Sequence, residues 1–330
     1  MSDARDALLE WMEAKALPRE RLADAMRVAG VTPSPAQWRI FTERLLTSLG
    51  AVLVVAAACF FIAANWQALG RYAKFGLIEG GIVAALAIVW WRGLDSIAGR
   101  AAMVAASLLV GVLLALVGQV YQTGADTFEL FAVWAVCILP WVVVGREPSL
   151  WVIWLALVDM AIVLYFRTNV ARGVGTLDFI FVSRAAMWCV LAVDAVALAV
   201  WEYIAARRNG WLGVRWAPRI VAGAVATVVT LLVIGDIVDF GHHDRASAAA
   251  AYVAFAAAMY WAYRVWRRDL VMLAGLVLTA IIVIAAVSAR SLFDGDAFAA
   301  FLLTGIVVVA CTAAGTYWLK AVGNEARASA

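Results

Sequence analysis

Few side chains in this sequence carry charge, and fewer still belong to residue types that bind metals. Of 330 residues, 15% are Asp, Glu, Lys or Arg, two are histidine, six are proline and four are cysteine. Soluble domains carry roughly a quarter charged residues, so this chain lacks the polar surface needed to face water all round. Cys59, Cys137, Cys189 and Cys311 each lie inside apolar runs without metal-ligand spacing, which argues against a disulfide framework or a zinc site. The histidines are adjacent, in Asp239-Phe-Gly-His242-His243-Asp244. Their spacing matches no recognised ligand pattern, so no metal and no other cofactor is expected. Walker A, HExxH and GxSxG patterns are missing. Gly235-Asp236 and Gly295-Asp296 lack the flanking glycines of an intramembrane aspartyl protease motif.

What the sequence does have is apolar length: 66% of its residues are hydrophobic. Segments of about twenty apolar residues suit roughly 30 Å of hydrocarbon. They fall near 45–64, 73–92, 100–118, 127–145, 148–166, 182–205, 216–237, 246–264, 268–288 and 297–319. The fold class is therefore all-α, a polytopic transmembrane helix bundle of about ten spans. Only Gly145-Arg146-Glu147-Pro148 separates the fourth span from the fifth, and its proline and charges predict a tight hairpin.

Residues 1–44 are the one water-exposed stretch, ahead of a bundle domain over 45–330. Leu8, Leu9, Met12 and Ala16 recur at helical spacing among charged residues, an amphipathic pattern. The opening MSDARDALLEWMEAK is too charged for a signal peptide. Ser34 and Pro35 suit an N-cap and a first helical residue.

Basic residues orient the bundle. With the N-terminus cytoplasmic, nineteen Lys and Arg fall inside and seven outside. An even number of spans then returns the C-terminus to the same side. Trp90, Trp91, Trp141, Trp151, Trp201, Trp216, Trp261, Trp266 and Trp318 form a belt at that inner interface. The Arg runs at 207–219 and 264–268 follow from topology and anionic lipid, so nucleic acid is not an expected partner.

Ionisable groups in mid-membrane are costly and face a partner or a hydrated cavity. Glu79, Asp159, Asp194 and, near the outer end of its span, Asp236 are the candidates. Asp159 and Asp194 can pair with each other or with Arg184. Glu79 lies between Gly76 and Gly80, where helices can approach closely; Gly111 with Ala115, and Ala310 with Ala314, have the same spacing. Amides gather on the outer side: Asn65-Trp66-Gln67 in one loop, then Gln119, Tyr121, Gln122 and Asp126 in the next, with Glu129 beyond. Such groups satisfy helix ends, and they are equally candidates for lining a polar pocket.

Leu9-Glu10-Trp11 and Leu17-Pro18-Arg19-Glu20, then Ala64-Asn65-Trp66, then Gly118-Gln119-Val120-Tyr121-Gln122-Thr123-Gly124-Ala125-Asp126 with Trp134 and Pro140 occur in that order. Over about the first 150 residues the chain resembles the bacterial membrane protein family called domain of unknown function 2157. The resemblance implies a multi-pass inner-membrane protein and no catalytic residues. The leading functional expectation is a non-enzymatic component of an envelope complex, embedded in the bilayer and docking a cytoplasmic or membrane partner through residues 1–44. The alternatives are a transporter or channel for a small solute, lipid or ion using the intramembrane carboxylates, and an enzyme on a lipid-linked substrate.

Overall fold

A computed structural model describes residues 8, 11–12, 14, 16–29, 35–122, 124–169, 183–207, 213–238, 245–292 and 297–328. Among these, every regular element is helical. The chain forms two compact units, Met1–Lys74 and Phe75–Ala330. In the first, a 3-10 turn at Arg19–Arg21 leads into α1 (Leu22–Val28), and α2 (Pro35–Ala64) follows. Proline fits the start of α2 because its missing N–H has no intrahelical acceptor there. The helix then runs unbroken from polar into apolar sequence, with Thr42 Oγ1 donating to the Trp38 carbonyl at 2.9 Å.

The remaining helices are α3 (Arg71–Arg92), α4 (Ile97–Tyr121), α5 (Thr127–Gly145), α6 (Pro148–Asn169), α7 (Arg184–Arg207), α8 (Trp216–Val238), α9 (Arg245–Tyr260), α10 (Leu270–Leu292) and α11 (Ala297–Ala328). Among the described residues, eight helices are long and apolar enough to cross a membrane: α3 to α8, α10 and α11. α9 has 16 residues and continues through a π-helical turn at Trp261–Trp266. Each of the ten expected apolar segments coincides with one of these helices, α9 together with its π turn. Large apolar side chains remain exposed, including Phe60, Trp90, Trp91 and Phe301, each more than three-quarters accessible. Such a surface belongs in lipid, so the architecture is that of a polytopic membrane bundle.

Local chemistry sets the joints. Between α3 and α4, Ser96 caps α4 by accepting from the Gly99 amide at 2.9 Å, and its hydroxyl donates to the Gly93 carbonyl at 3.0 Å. Gly93 has φ +73°, and a Cβ on Gly99 would lie 2.0 Å from the Gly93 oxygen, so both positions need glycine. The expected hairpin forms between α5 and α6. Arg146 closes α5 in the left-handed region with φ +47°, and Pro148 opens α6.

Packing in the second unit follows the chain. One core joins α4, α5 and α6 through Met103, Ile138, Val142 and Leu150. A second joins α7, α8 and α9 through Leu191, Val229, Leu232 and Ala248. A third joins α8, the π turn, α10 and α11 through Ala222, Tyr263, Met272, Leu273 and Val322. Indole donors pin the first core: Trp134 Nε1 donates to the Ser107 carbonyl at 2.8 Å and Trp154 Nε1 to the Ala135 carbonyl at 3.1 Å.

Close approach occurs at Gly111, where a Cβ would stand 2.3 Å from the Trp134 ring. A Cβ at Gly76 or Gly80 would instead meet open space, and Ala310 and Ala314 are exposed. The close contact on α11 falls at Gly315, against Val277 of α10. Gly111→Val is therefore expected to displace the Trp134 ring, break its bond to Ser107 and destabilise the bundle by about 3 kcal/mol. Thermal unfolding in detergent would show this as a lowered Tm, and Gly76→Val should leave Tm nearly unchanged.

Candidate functional site

α6 and α7 are adjacent antiparallel helices, and their mid-span carboxylates meet. Asp159 and Asp194 are close enough to act on each other electrostatically. Asp194 is fully buried. Neither of its oxygens, nor Asp159 Oδ1, has a hydrogen-bond donor among the described residues. A carboxylate carries acceptors only, so this contact becomes a bond only when a proton sits between the two groups.

An apolar cavity of about 580 Å³ lies between α6, α7 and α8, and neither aspartate is among the residues of its wall. Its wall includes Trp151, Trp154, Leu155, Val193, Ala197, Trp201 and Val221. Leu155 is one turn from Asp159, and Ala197 and Trp201 share the helical face of Asp194. The wall is almost wholly apolar apart from its indoles, and Trp151 Nε1 is buried with no acceptor among the described residues.

Arg184, the other possible partner of these aspartates, is engaged elsewhere. From the start of α7 it pairs with Asp236 at the end of α8, its second nitrogen lying 3.1 Å from Asp236 Oδ2 and 3.2 Å from Ser247 Oγ. The ion pair ties three helices together at that end of the bundle. Glu79 is exposed on α3 and takes no part in the carboxyl pair.

The amide-rich residues sit at helix ends. Asn65 is exposed just past α2, its carbonyl accepting from the amides of Ala68 and Leu69 at 3.0 and 3.1 Å. Gln67 is exposed and Trp66 half-buried, with Lys74 Nζ 4.8 Å from the Trp66 ring centroid. In the second unit, Gln119, Tyr121, Gln122, Asp126 and Glu129 are all exposed. Gln122 ends α4 with φ +45°, and the Tyr121 ring lies 6.2 Å from that of Phe75. Asp126 stands at the N-cap of α5 with its carbonyl accepting from the Glu129 amide at 3.0 Å. His242 and His243 lie outside the described residues.

A second polar assembly occupies the opposite end of the bundle from the Arg184 pair. Glu202, buried near the end of α7, accepts from Arg215 at 3.2 Å, Arg267 at 2.7 Å and the Tyr263 hydroxyl at 3.1 Å. Asp269, buried before α10, accepts from Arg215 at 2.8 Å and Arg219 at 3.1 Å, and caps α10 through the Val271 amide at 3.1 Å. Arg264 on the π turn pairs with Glu325 of α11. Burial raises the Asp269 pKa, but the bonds and charges of Arg215 and Arg219 outweigh it and hold the carboxyl below its ordinary range. Burial likewise works against the Arg215 charge, and Asp269 and Glu202 more than compensate, raising its pKa. The sequence signals for these residues are present. Asp269 directly precedes an apolar run, as an N-cap does, and Glu202 interrupts one.

Residues 9–151 match the model of the family described as a predicted membrane protein, domain of unknown function 2157, the family whose motifs the sequence resembles. The match covers α1 to α5 and the start of α6. It ends before Asp159, Asp194 and the arginine assembly. No curated protein matches the chain, and no solved structure does.

Proposed function

We propose that the protein is a proton-coupled carrier for a small apolar or amphipathic solute, and that Asp159 and Asp194 together hold the coupling proton. The observation that supports this is the facing carboxyl pair, in which Asp159 Oδ1 and both Asp194 oxygens have no donor among the described residues, on two helices that also wall an apolar cavity. A scaffold fits less well, since each of its buried carboxylates should be individually satisfied, as Asp236, Glu202 and Asp269 are. A proton suits the pair better than a metal cation. Hard cations take six or more oxygen ligands, and no group of three or more His, Cys, Asp or Glu that could hold a metal occurs among the described residues.

The resemblance and the excess of Lys and Arg on one side favour a bacterial inner-membrane location with both termini cytoplasmic. The arginine assembly then faces the cytoplasm and the Arg184–Asp236 pair the outer side. Infrared difference spectroscopy of the full chain in lipid tests the shared proton. A protonated-carboxyl band should appear and be lost or shifted in Asp159→Asn and in Asp194→Asn. A band unchanged in both variants would remove this reading.

A further inference from the structure

The arginine assembly borders a cavity of about 370 Å³ between α8, the π turn, α10 and α11. Its polar wall consists of Arg215, Arg219, Arg264, Arg268, Tyr263 and Asp269. We infer that this cavity binds a phosphate group, supplied either by the headgroup of an anionic phospholipid or by a free phosphate.

Charge is the first reason. Four guanidiniums face one carboxylate in the wall. With Arg267, Glu202 and Glu325, the ion pairs of the assembly set Arg215, Arg219, Arg264 and Arg267 against three carboxylates. Planar guanidiniums match phosphate oxygens in bidentate fashion, which an ammonium does not.

Preorganisation is the second. Arg215 is held by Asp269 and Glu202 together. Arg219 uses Nε and one terminal nitrogen on Asp269, and its other terminal nitrogen makes no hydrogen bond among the described residues, which leaves it for a ligand. Both cations are thus fixed before any anion arrives, and the ordering cost of binding falls. The α10 N-terminus adjoins the cavity, but Asp269 Oδ1 already accepts from the Val271 amide. The arginines, not the helix end, would therefore carry the anion.

Depth is the third. Trp216, Trp261 and Trp266 are exposed around this end of the bundle, and such rings sit at headgroup level. Leu270 and Val271, half-exposed on the cavity wall, offer apolar contact to the glycerol and upper acyl carbons of a lipid. Basic pockets between spanning helices are suited to anionic headgroups.

The test uses the full chain purified in a neutral detergent. Phosphatidylglycerol and phosphatidylcholine are titrated separately and read by native mass spectrometry. Sodium phosphate is compared with sodium chloride at equal ionic strength and read as a shift in Tm. Phosphatidylglycerol should bind and phosphatidylcholine should not if the source is a lipid headgroup; sodium phosphate alone should raise Tm if the source is free. Arg268→Ala should weaken the active ligand about tenfold by removing one charge-assisted contact. Arg264→Lys, which keeps the charge and loses the fork, should also weaken it. Arg207→Ala removes a cation that stacks on Tyr203 away from this cavity, and it should change binding less than twofold. Binding of neither ligand by the wild-type chain overturns the proposal. So does equal weakening by Arg207→Ala, which would mean diffuse attraction to a basic surface.

Discussion

Asp159→Asn and Asp194→Asn are each expected to lower proton flux across the membrane about a hundredfold or more, the scale on which loss of a positioned proton carrier is felt. The amide preserves shape and supplies a permanent N–H donor to the remaining carboxylate, so the contact between α6 and α7 survives. What disappears is a group that takes up and releases the proton. Proteoliposomes with an imposed pH gradient and an interior pH indicator measure this directly, with the proton itself as the probe. Glu79→Gln should retain wild-type flux because Glu79 is exposed on α3 and apart from the pair.

The double replacement Asp159→Leu with Asp194→Leu separates coupling from architecture. Exchanging a buried polar pair for apolar residues of similar volume is often neutral or stabilising. Flux should therefore vanish while Tm holds or rises. A merely structural pair would give the reverse, with Tm lowered and flux intact, and that result would end the carrier reading.

The spans were legible in the sequence because hydropathy over twenty residues dominates every local preference in such a chain. The ends were legible where residue chemistry is strong, as at Gly145-Arg146-Glu147-Pro148, where a left-handed Arg146 and an opening proline make the turn. Which face of each helix looks inward was not. Helices apolar all round carry little periodic signal, and their rotation is set by packing against neighbours. Asp159, Asp194 and Glu79 therefore look alike in the sequence, yet two meet and the third is exposed. The same blindness separates Gly111, pressed on Trp134, from Gly76 and Gly80, which face open space. Glu202 and Asp269 carry a local signal, but their role was masked for another reason. Each lies where an apolar run meets a basic loop, and their partners Arg215, Arg219 and Arg267 come from positions that topology alone already accounts for. The π turn that carries Tyr263 and Arg264 into this assembly leaves no mark that hydropathy can read.

Removing the Asp269 carboxylate is expected to cost more stability than any other single truncation in the arginine assembly. Its side chain is only 3% exposed while it holds Arg215 and Arg219 and caps α10. Breaking a buried ion pair from one side costs about 3–5 kcal/mol, and loss of an N-cap about 1 kcal/mol. Both arginines retain partial contact with solvent, so Asp269→Ala should fall near the lower bound, about 3 kcal/mol. The effect also has a definite pH dependence. The native carboxyl titrates below its unfolded value of about 3.9, because Arg215 and Arg219 favour the charged form. The stabilisation is thus fully present above about pH 4 and is lost as pH falls through the depressed native value. Thermal unfolding followed by tryptophan fluorescence should show wild type and Asp269→Ala well separated at pH 7 and converging only in strong acid. A gap that closes between pH 7 and pH 5 would place the titrating group elsewhere and dismiss Asp269 as the anchor. Arg219→Ala should reproduce part of the loss, and combined with Asp269→Ala should add less than its own effect, since both act on one bond network.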